Sequence, residues 1–179
     1  MALTKLNARS ATALDATILT GNLPAINGSA LTNLSAGKIG QIVSSTDNNP
    51  STISTTSTSF VTTGITVTIT PSATSSKILL MFSSGVGYTG SDGESMRQFY
   101  RNIDSGGDTA LGAGGYGMAN YALANFTPYE LTWIDSPSTT SSTVYSMWYK
   151  TGNASNTTYA VWSSSYYSLI AMEILAWRT

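Results

Sequence analysis

The chain has 179 residues, of which 9% are charged, and its formal net charge is −1. Its eight basic residues are scattered, so we expect no binding to nucleic acid, whose phosphate backbone requires a cationic surface. The absence of Cys excludes disulfides and thiolate metal sites, and the absence of His excludes His ligands and Ser-His-Asp triads. We therefore expect a non-enzymatic protein with no cofactor and no metal.

Hydroxyl side chains replace charge as the source of solubility, since the chain contains 27 Ser and 27 Thr. The apolar content of 41% is nevertheless high enough to fill a core, which argues against a low-complexity linker. No apolar run is long enough to span a membrane, and Met1 to Thr12 lack the pattern of a signal peptide. This composition suits a long-lived extracellular or virion surface, made in a cytoplasm and released by lysis, with no membrane partner.

Residues 1–38 form a segment that differs from the rest of the chain. It has no aromatic residue, is dominated by Leu and Ala, and is interrupted by turn residues and by Pro24. A segment of this kind cannot make its own core, so we expect an arm that is ordered by docking on another surface. The candidate attachment residues are Leu19, Leu23, Leu31 and Leu34.

From Lys38 onward the hydrophobic pattern has a period of two, as in β-strands. Short strands separated by polar turns, with no convincing helix, predict an all-β sandwich or jelly roll over residues 39–179. The predicted strands are Ile39 to Ser45, Phe60 to Thr63, Ile65 to Thr70, Lys77 to Ser84, Met96 to Ile103, Tyr129 to Ile134, Thr143 to Lys150, Tyr159 to Trp162 and Tyr167 to Leu175.

Two charged features lie in the middle of the chain. Arg97 and Arg101 are four residues apart on a predicted strand and therefore share a face. The favoured interpretation is an exposed surface row that contributes little stability. The alternative is that these arginines pair with Asp104 or Glu94, or meet the same residues of a neighbouring subunit. Asp104 and Asp108 could offer oxygen ligands to calcium from a tight turn, but a solvated turn is the favoured interpretation because the ligand count is low.

Aromatic and glycine-rich segments provide two further candidates. Leu111 to Asn120 is rich in Gly but follows no βα pattern, so we interpret it as an exposed loop or a loosely paired strand. Trp162, Tyr166 and Tyr167 flank three serines and are candidate contacts for a glycan. Packing in the core or at a subunit contact is the more common role of such residues.

The last predicted strand is apolar on both faces. Ile170, Met172 and Ile174 share one face, while the other carries Leu169, Ala171, Glu173 and Leu175. A strand of this kind is covered twice, by its own core and by something else, most simply a second copy of the protein. The candidate subunit-interface residues are Ile170, Met172, Glu173 and Ile174. If Glu173 meets its own copies at an axis, its neutralisation should stabilise the assembly.

Two segments also resemble a known class of proteins. The run from Gly21 to Leu34 (Gly-Asn-Leu-Pro-Ala-Ile-Asn-Gly-Ser-Ala-Leu-Thr-Asn-Leu) resembles the short linking motif of fibre-like proteins in tailed bacteriophages, especially marine and cyanobacterial phages. The run from Ile65 to Phe82 resembles the first part of a C-terminal domain in the same proteins. Those domains end in an apolar strand with Glu-Ile, as Glu173 and Ile174 do here.

The resemblance implies a homotrimeric virion protein with a jelly-roll head, similar in outline to the heads of tumour necrosis factor and complement C1q. In that architecture the last strand lies near the three-fold axis. Tail fibres usually begin with a larger module, so the short arm favours a capsid-decorating cement or head-fibre protein that docks on the major capsid protein. The alternative is the receptor-binding tip of a tail fibre, which would contact host glycans through the loops Thr89 to Ser95, Ser105 to Asn120 and Pro137 to Ser142.

Overall fold

A computed structural model of the chain describes residues 39–89, 94–112, 115–121 and 127–175. These residues form eleven strands and no α-helix. The strands are β1 (Ile39–Asp47), β2 (Ile53–Thr55), β3 (Val61–Ile69), β4 (Lys77–Thr89), β5 (Ser95–Ile103), β6 (Asp108–Ala110), β7 (Ala119–Tyr121), β8 (Thr127–Asp135), β9 (Thr143–Thr151), β10 (Thr158–Val161) and β11 (Tyr167–Ile174). The predicted attachment residues Leu19, Leu23, Leu31 and Leu34 lie outside the described residues.

The strands form two antiparallel sheets. The first has the order β1-β11-β4, with β8 also paired to β4, and it continues through β10 to β2. The second has the order β3-β9-β5-β6, with β7 also paired to β5. Because the long strands alternate between the two sheets along the chain, the topology is that of a jelly roll. The predicted all-β sandwich is confirmed.

The predicted strands are all present; five of their ends coincide with those in the structure, and the others are shifted by one to five residues. The two runs around Gly64 form one strand, β3, whose register shifts between Thr62 and Thr66 where Gly64 has a φ of +77°. That conformation favours glycine and marks an irregularity in the ladder. The pattern missed β2, β6 and β7, because strands of three residues are too short to show an alternation.

The core lies between the two sheets and is built from the inward-facing residues that alternate with outward-facing ones along each long strand. Every second residue of β3, from Thr63 to Ile69, is buried, and the intervening residues are exposed. Strands of the other sheet contribute the residues that pack against this face. The buried apolar residues that form this cluster are Ile65, Val67, Ile69, Ile78, Leu80, Phe82, Phe99, Leu111, Tyr129, Leu131, Tyr145, Met147, Tyr149, Ala160, Val161, Leu169 and Ala171.

The prediction that Arg97 and Arg101 form an exposed row is wrong. Arg97 and Arg101 do share a face of β5, but that face points into the sandwich, and Arg97 is only 1% exposed. Its guanidinium donates from Nη2 to the carbonyl oxygen of Tyr159 at 2.7 Å. It also lies 5.0 Å from the ring centre of Tyr129 and 5.5 Å from that of Tyr149. Aromatic faces and a backbone carbonyl therefore stabilise this cation in the interior.

Arg101 pairs with a residue of the opposite sheet rather than with Asp104 or Glu94. Its Nη1 donates to both carboxylate oxygens of Asp135, at 2.9 Å each. The Tyr145 hydroxyl donates to Asp135 Oδ2 at 2.7 Å, and burial together with this bond raises the pKa of Tyr145. Since Asp135 belongs to β8 and its two partners to β5 and β9, this cluster joins the sheets through charge-assisted hydrogen bonds.

Of the two interpretations of the glycine-rich segment, the loosely paired strand fits its last residues, because Ala119 and Asn120 belong to β7 and pair with β5. Leu111 is buried, and its amide donates to the Phe99 carbonyl at 2.9 Å. Gly117 has a φ of +71°, and a Cβ at this position would lie 2.6 Å from the Arg97 carbonyl oxygen. The close approach of the segment to β5 therefore requires glycine at this position.

The Asp135 cluster predicts two losses of stability of different size. Tyr145→Phe removes one hydrogen bond to a charged group and should lower the free energy of unfolding by about 1.5–3 kcal/mol. Asp135→Ala leaves the Arg101 charge and the buried Tyr145 hydroxyl without their acceptor, and should cost about 3–5 kcal/mol. Urea unfolding of both variants measures these values. An exposed-acid control, Asp104→Asn, keeps a residue that tolerates the φ of +49° at this position and should stay within about 0.5 kcal/mol of the wild type. Equal effects for Asp135→Ala and the control would contradict the role of the cluster.

Candidate functional site

The outer surface of the first sheet is apolar over its central part. Strand register places Ile42 of β1, Met172 of β11, Leu79 of β4 and Ile134 of β8 in one row across the four strands. The adjacent row contains Ile170 beside Met81, and Ile174 lies beside Ile39 on the other side. We call this surface the apolar sheet face; its residues are Ile39, Ile42, Leu79, Met81, Ile134, Ile170, Met172 and Ile174.

The apolar sheet face is accessible in the isolated chain. Ile42 is 56% exposed and Ile134 is 52% exposed, and the three predicted residues of β11 are partly exposed. Charged residues lie at the margins, with Lys77 paired to Ile174 and Glu130 in the row of Ser83. A contiguous exposed patch of this kind, with an apolar centre and a charged margin, has the composition of an interaction surface.

Sequence reasoning found the β11 part of this face and missed the rest. Ile170, Met172 and Ile174 are brought together as predicted from the alternation. Leu79 and Met81 could not be assigned to the outer face because the run from Ile78 to Phe82 is apolar on both faces and shows no alternation. The contributions of β1 and β8 depend on which strands flank β11 and β4, and strand order is a long-range property.

Glu173 does not lie on the apolar sheet face. Its side chain points into the sandwich and is 1% exposed. The Ser72 amide and hydroxyl donate to Glu173 Oε1 at 2.6 and 2.7 Å. Gln41 Nε2 donates to Glu173 Oε2 at 2.8 Å and to the Thr70 carbonyl at 2.7 Å. The carboxylate is therefore bound within its own protomer, where it joins β11, β1 and the turn after β3.

This environment favours the charged form of Glu173. Burial by itself raises the pKa of the carboxyl group, but the hydrogen bonds from Ser72 and Gln41 outweigh it and lower the pKa from 4.5 to about 2. A group whose folded pKa lies below its unfolded value stabilises the fold fully above the unfolded pKa. That contribution is lost as the pH falls from about 4.5 towards about 2.

The predicted glycan contacts are only partly brought together. Tyr166 and Tyr167 line a groove of about 470 Å³ together with Thr46, Asp47, Asn48 and Ser168. Tyr166 is 48% exposed, whereas Tyr167 also packs against the core. Trp162 is not part of this lining and lies edge-on to Tyr159, with ring centres 4.7 Å apart.

A second groove lies on the outer face of the second sheet, and Ser105, Asp108 and Ser142 from two of the predicted glycan-contacting loops belong to its lining. It has a volume of about 380 Å³. Its lining residues are Thr62, Thr66, Asn102, Asp104, Ser105, Asp108, Ser142, Val144, Ser146 and Trp148. Trp148 stacks on Tyr100 with ring centres 4.2 Å apart, and its Nε1 donates to Ser146 Oγ at 2.9 Å. The sequence feature that could have indicated this groove is Trp148, a large aromatic residue at an outward position of the predicted strand Thr143 to Lys150.

The described residues offer no metal centre and no membrane span. Asp104 and Asp108 are exposed, and Asp108 Oδ1 accepts a hydrogen bond from Asn102 Nδ2 at 3.2 Å. In the same ranges no three His, Cys, Asp or Glu residues come close enough together to hold an ion. Nor does any helix within them have the length and apolar character needed to cross a bilayer.

The sheet order and the two outer surfaces define an all-β jelly-roll sandwich with one apolar and one hydroxyl-rich face. No protein-family model matches the chain, and no curated protein matches it. The chain is similar to a structure of the infectious bursal disease virus Gx strain, with 12% identity and a TM-score of 0.38 over 86% of this chain and 43% of that one. It is also similar to the VP2 subviral particle of infectious bursal disease virus, with 12% identity and a TM-score of 0.32 over 86% and 46%. The chain thus spans less than half the length of either solved chain, and the fold assignment rests on its own sheet order.

Neutralising Glu173 should destabilise the protein, whereas at a subunit axis it would have stabilised the assembly. The reason is that the carboxylate accepts hydrogen bonds from Ser72 and Gln41. Glu173→Gln replaces an acceptor oxygen by an NH₂ group that faces the donors of Ser72 or Gln41. The free energy of unfolding should therefore fall by about 1.5–3 kcal/mol at neutral pH. Thermal or urea unfolding measures this change, and stabilisation by Glu173→Gln would contradict the assignment.

The pH dependence gives a second test of the same carboxylate. Wild-type stability should decline as the pH is lowered from about 4.5 towards about 2, and Glu173→Gln should show a shallower decline because the titrating group is gone. Asp104→Asn, which also exchanges a carboxylate for an amide but at an exposed position, serves as the matched control. Identical slopes for wild type and Glu173→Gln would show that Glu173 does not titrate in this range.

Proposed function

We propose that this protein is a non-enzymatic structural component of a tailed-phage virion, a homotrimer that decorates the capsid and docks through residues 1–38. The observation that carries the proposal is the apolar sheet face, which leaves eight apolar side chains in a row pattern on the outside of a complete sandwich. The resemblance of the segments Gly21 to Leu34 and Ile65 to Phe82 to fibre-like phage proteins supports the virion context.

The partner of the apolar sheet face is proposed to be the same face of further copies. The centre of the face is formed by Met172 and Ile170 of β11, the strand that the resemblance places near a three-fold axis. Each fully buried side chain of this size contributes about 1.5–3 kcal/mol, and a closed ring buries the face in every subunit. Because the net charge is only −1, electrostatic repulsion between copies of the chain is weak and does not oppose this contact.

The proposal predicts three copies in solution. Native mass spectrometry and analytical ultracentrifugation of the full chain at micromolar concentration should both give the trimer mass. Ile170→Asp places a carboxylate in the centre of the contact, where burial without a partner costs several kcal/mol, so the trimer should dissociate. Ile174→Asp places the carboxylate at the margin, beside Lys77, and should weaken the trimer less. The protomer fold should survive, because neither side chain lies in the core.

A matched control separates assembly from folding. Thr68→Asp introduces the same charge at an exposed outward position of β3 on the opposite sheet and should leave the trimer intact. A monomeric wild type, or two aspartate variants that remain trimeric with unchanged melting temperature, would overturn the assignment of the apolar sheet face.

The docking role of the arm predicts a separate effect. Replacing Leu19, Leu23, Leu31 and Leu34 one at a time by Ser should weaken binding to particles that lack this protein, without lowering the melting temperature of the trimer. Each buried Leu contributes about 1.5–3 kcal/mol, and three arms per trimer multiply the loss. Quantitative decoration assays measure it. Full occupancy by all four variants would contradict docking through the arm and would indicate that residues 39–179 make the contact.

A second candidate function is the receptor-binding tip of a tail fibre. The observation in its favour is the groove lined by Tyr166 and Tyr167, since the exposed Tyr166 ring and neighbouring hydroxyls provide an amphipathic surface. Locating the protein in purified particles by immunogold labelling distinguishes the two candidates, because labelling of the head supports decoration and labelling of the tail supports the fibre tip.

A further inference from the structure

The groove on the outer face of the second sheet combines a fixed aromatic ring with hydrogen-bonding groups. The floor is formed by outward hydroxyls of β3 and β9, namely Thr62, Thr66 and Ser146, next to Val144. Trp148 lines one side, and the turn that carries Asp104 and Asp108 also lines the groove. We infer that this groove binds a neutral saccharide, with one sugar ring stacked on the Trp148 indole.

The Trp148 ring is held in place before any ligand arrives. One indole face is stacked on Tyr100 at an interplanar angle of 24°, and Tyr100 in turn meets Phe60 at 6.3 Å. The indole N–H is already satisfied by Ser146 Oγ. A ring fixed in this way loses little conformational freedom on binding, which is the condition for an efficient stacking platform.

The polar groups of the groove match the hydroxyls of a sugar. Carboxylates are acceptors only, and Asp104 and Asp108 can each accept from sugar O–H groups, while Ser and Thr hydroxyls can donate or accept. The groove volume of about 380 Å³ falls within the range of small-ligand sites.

The charge of the groove selects against other ligands that stack on tryptophan. No Lys, Arg or His belongs to the lining, whereas two carboxylates do. Nucleotides, sialylated sugars and sulfated sugars all bring an anion close to Asp104 and Asp108, and like charges repel. A quaternary ammonium ligand would suit the aromatic ring and the acids but would leave the hydroxyl floor unused.

This inference is independent of the proposed trimer, because the groove and the apolar sheet face lie on the outer surfaces of different sheets. The saccharide groove would remain open when the apolar sheet face is covered. It also differs from the groove of Tyr166 and Tyr167, with which it shares no lining residue.

The test uses the full chain on an array of neutral hexose and N-acetylhexosamine oligosaccharides, each printed beside its sialylated and sulfated forms. Positive sugars are then titrated in solution by tryptophan fluorescence, with tetramethylammonium as the cationic probe. We expect neutral oligosaccharides to bind, and their anionic forms to bind at least about tenfold more weakly. Native mass spectrometry of the same sample reports the trimer separately, so failure of either idea can be recognised.

Variants locate the ligand. Trp148→Ala should abolish binding, and Trp148→Phe, which keeps a ring over Tyr100, should retain a weakened fraction of it. Asp104→Asn should weaken binding severalfold while preserving the backbone, because Asp104 has a φ of +49° and Asn tolerates this conformation. Melting temperatures confirm that each variant is folded.

Three results would overturn the inference. One is the absence of any neutral saccharide ligand at millimolar concentration. Another is unchanged binding by folded Trp148→Ala, or loss of binding only in Asp47→Asn or Tyr166→Ala, which would place the sugar in the other groove. The third is saturable binding of tetramethylammonium that is lost in Asp104→Asn, which would identify a cation site instead.

Discussion

The position of β11 between β1 and β4 is the constraint on which the rest of the structure depends. One face of this strand, with Leu169 and Ala171, completes the core, and the other face becomes the centre of an exposed apolar surface. Because β11 has a neighbour on each side, the outward residues of β1 and β4 extend its apolar surface across the sheet. The same pairing therefore closes the sandwich and creates the surface for which we propose further copies as partners.

The few charges near the core act as connectors. Glu173 joins β11 to β1 and to the turn at Ser72, and Asp135 joins β8 to the opposite sheet. Each is tolerated in a low-dielectric setting because hydrogen bonds or an ion pair compensate for lost hydration. Arg97 is compensated differently, by carbonyl groups and tyrosine rings. With hydroxyls providing solubility outside, the chain can reserve such charges for positions where they fix the packing of the sheets.

The two outer surfaces differ in chemistry and are proposed to differ in task. The apolar sheet face suits a permanent contact, because its apolar area contributes to association only when water is excluded. The groove around Trp148 suits a soluble ligand, since it offers one aromatic face and many hydroxyl or carboxylate groups. Because they belong to opposite sheets, assembly and ligand binding need not compete for the same residues.

The sequence by itself determined the class of fold and one strip of the candidate interface. Alternation is a local property, so the strands and the outward face of Ile170, Met172 and Ile174 could be predicted from it. It could not show that Arg97 and Arg101 point inward, because an arginine in the core depends on partners far along the chain, such as Tyr159 and Asp135. Nor could alternation show that Glu173 is bound by the turn at Ser72, because this turn lies about a hundred residues away in the chain.

Tertiary structure alone decided which strands are neighbours, and with this it decided both surfaces. Ile42, Leu79 and Ile134 join Met172 in one row because of the sheet order, and Trp148 lines one groove with Asp104 and Thr62 for the same reason. Such contacts join residues that are distant in the chain. The pattern along a strand specifies which way a side chain points, but the side chains that it meets are set by the pairing of the strands.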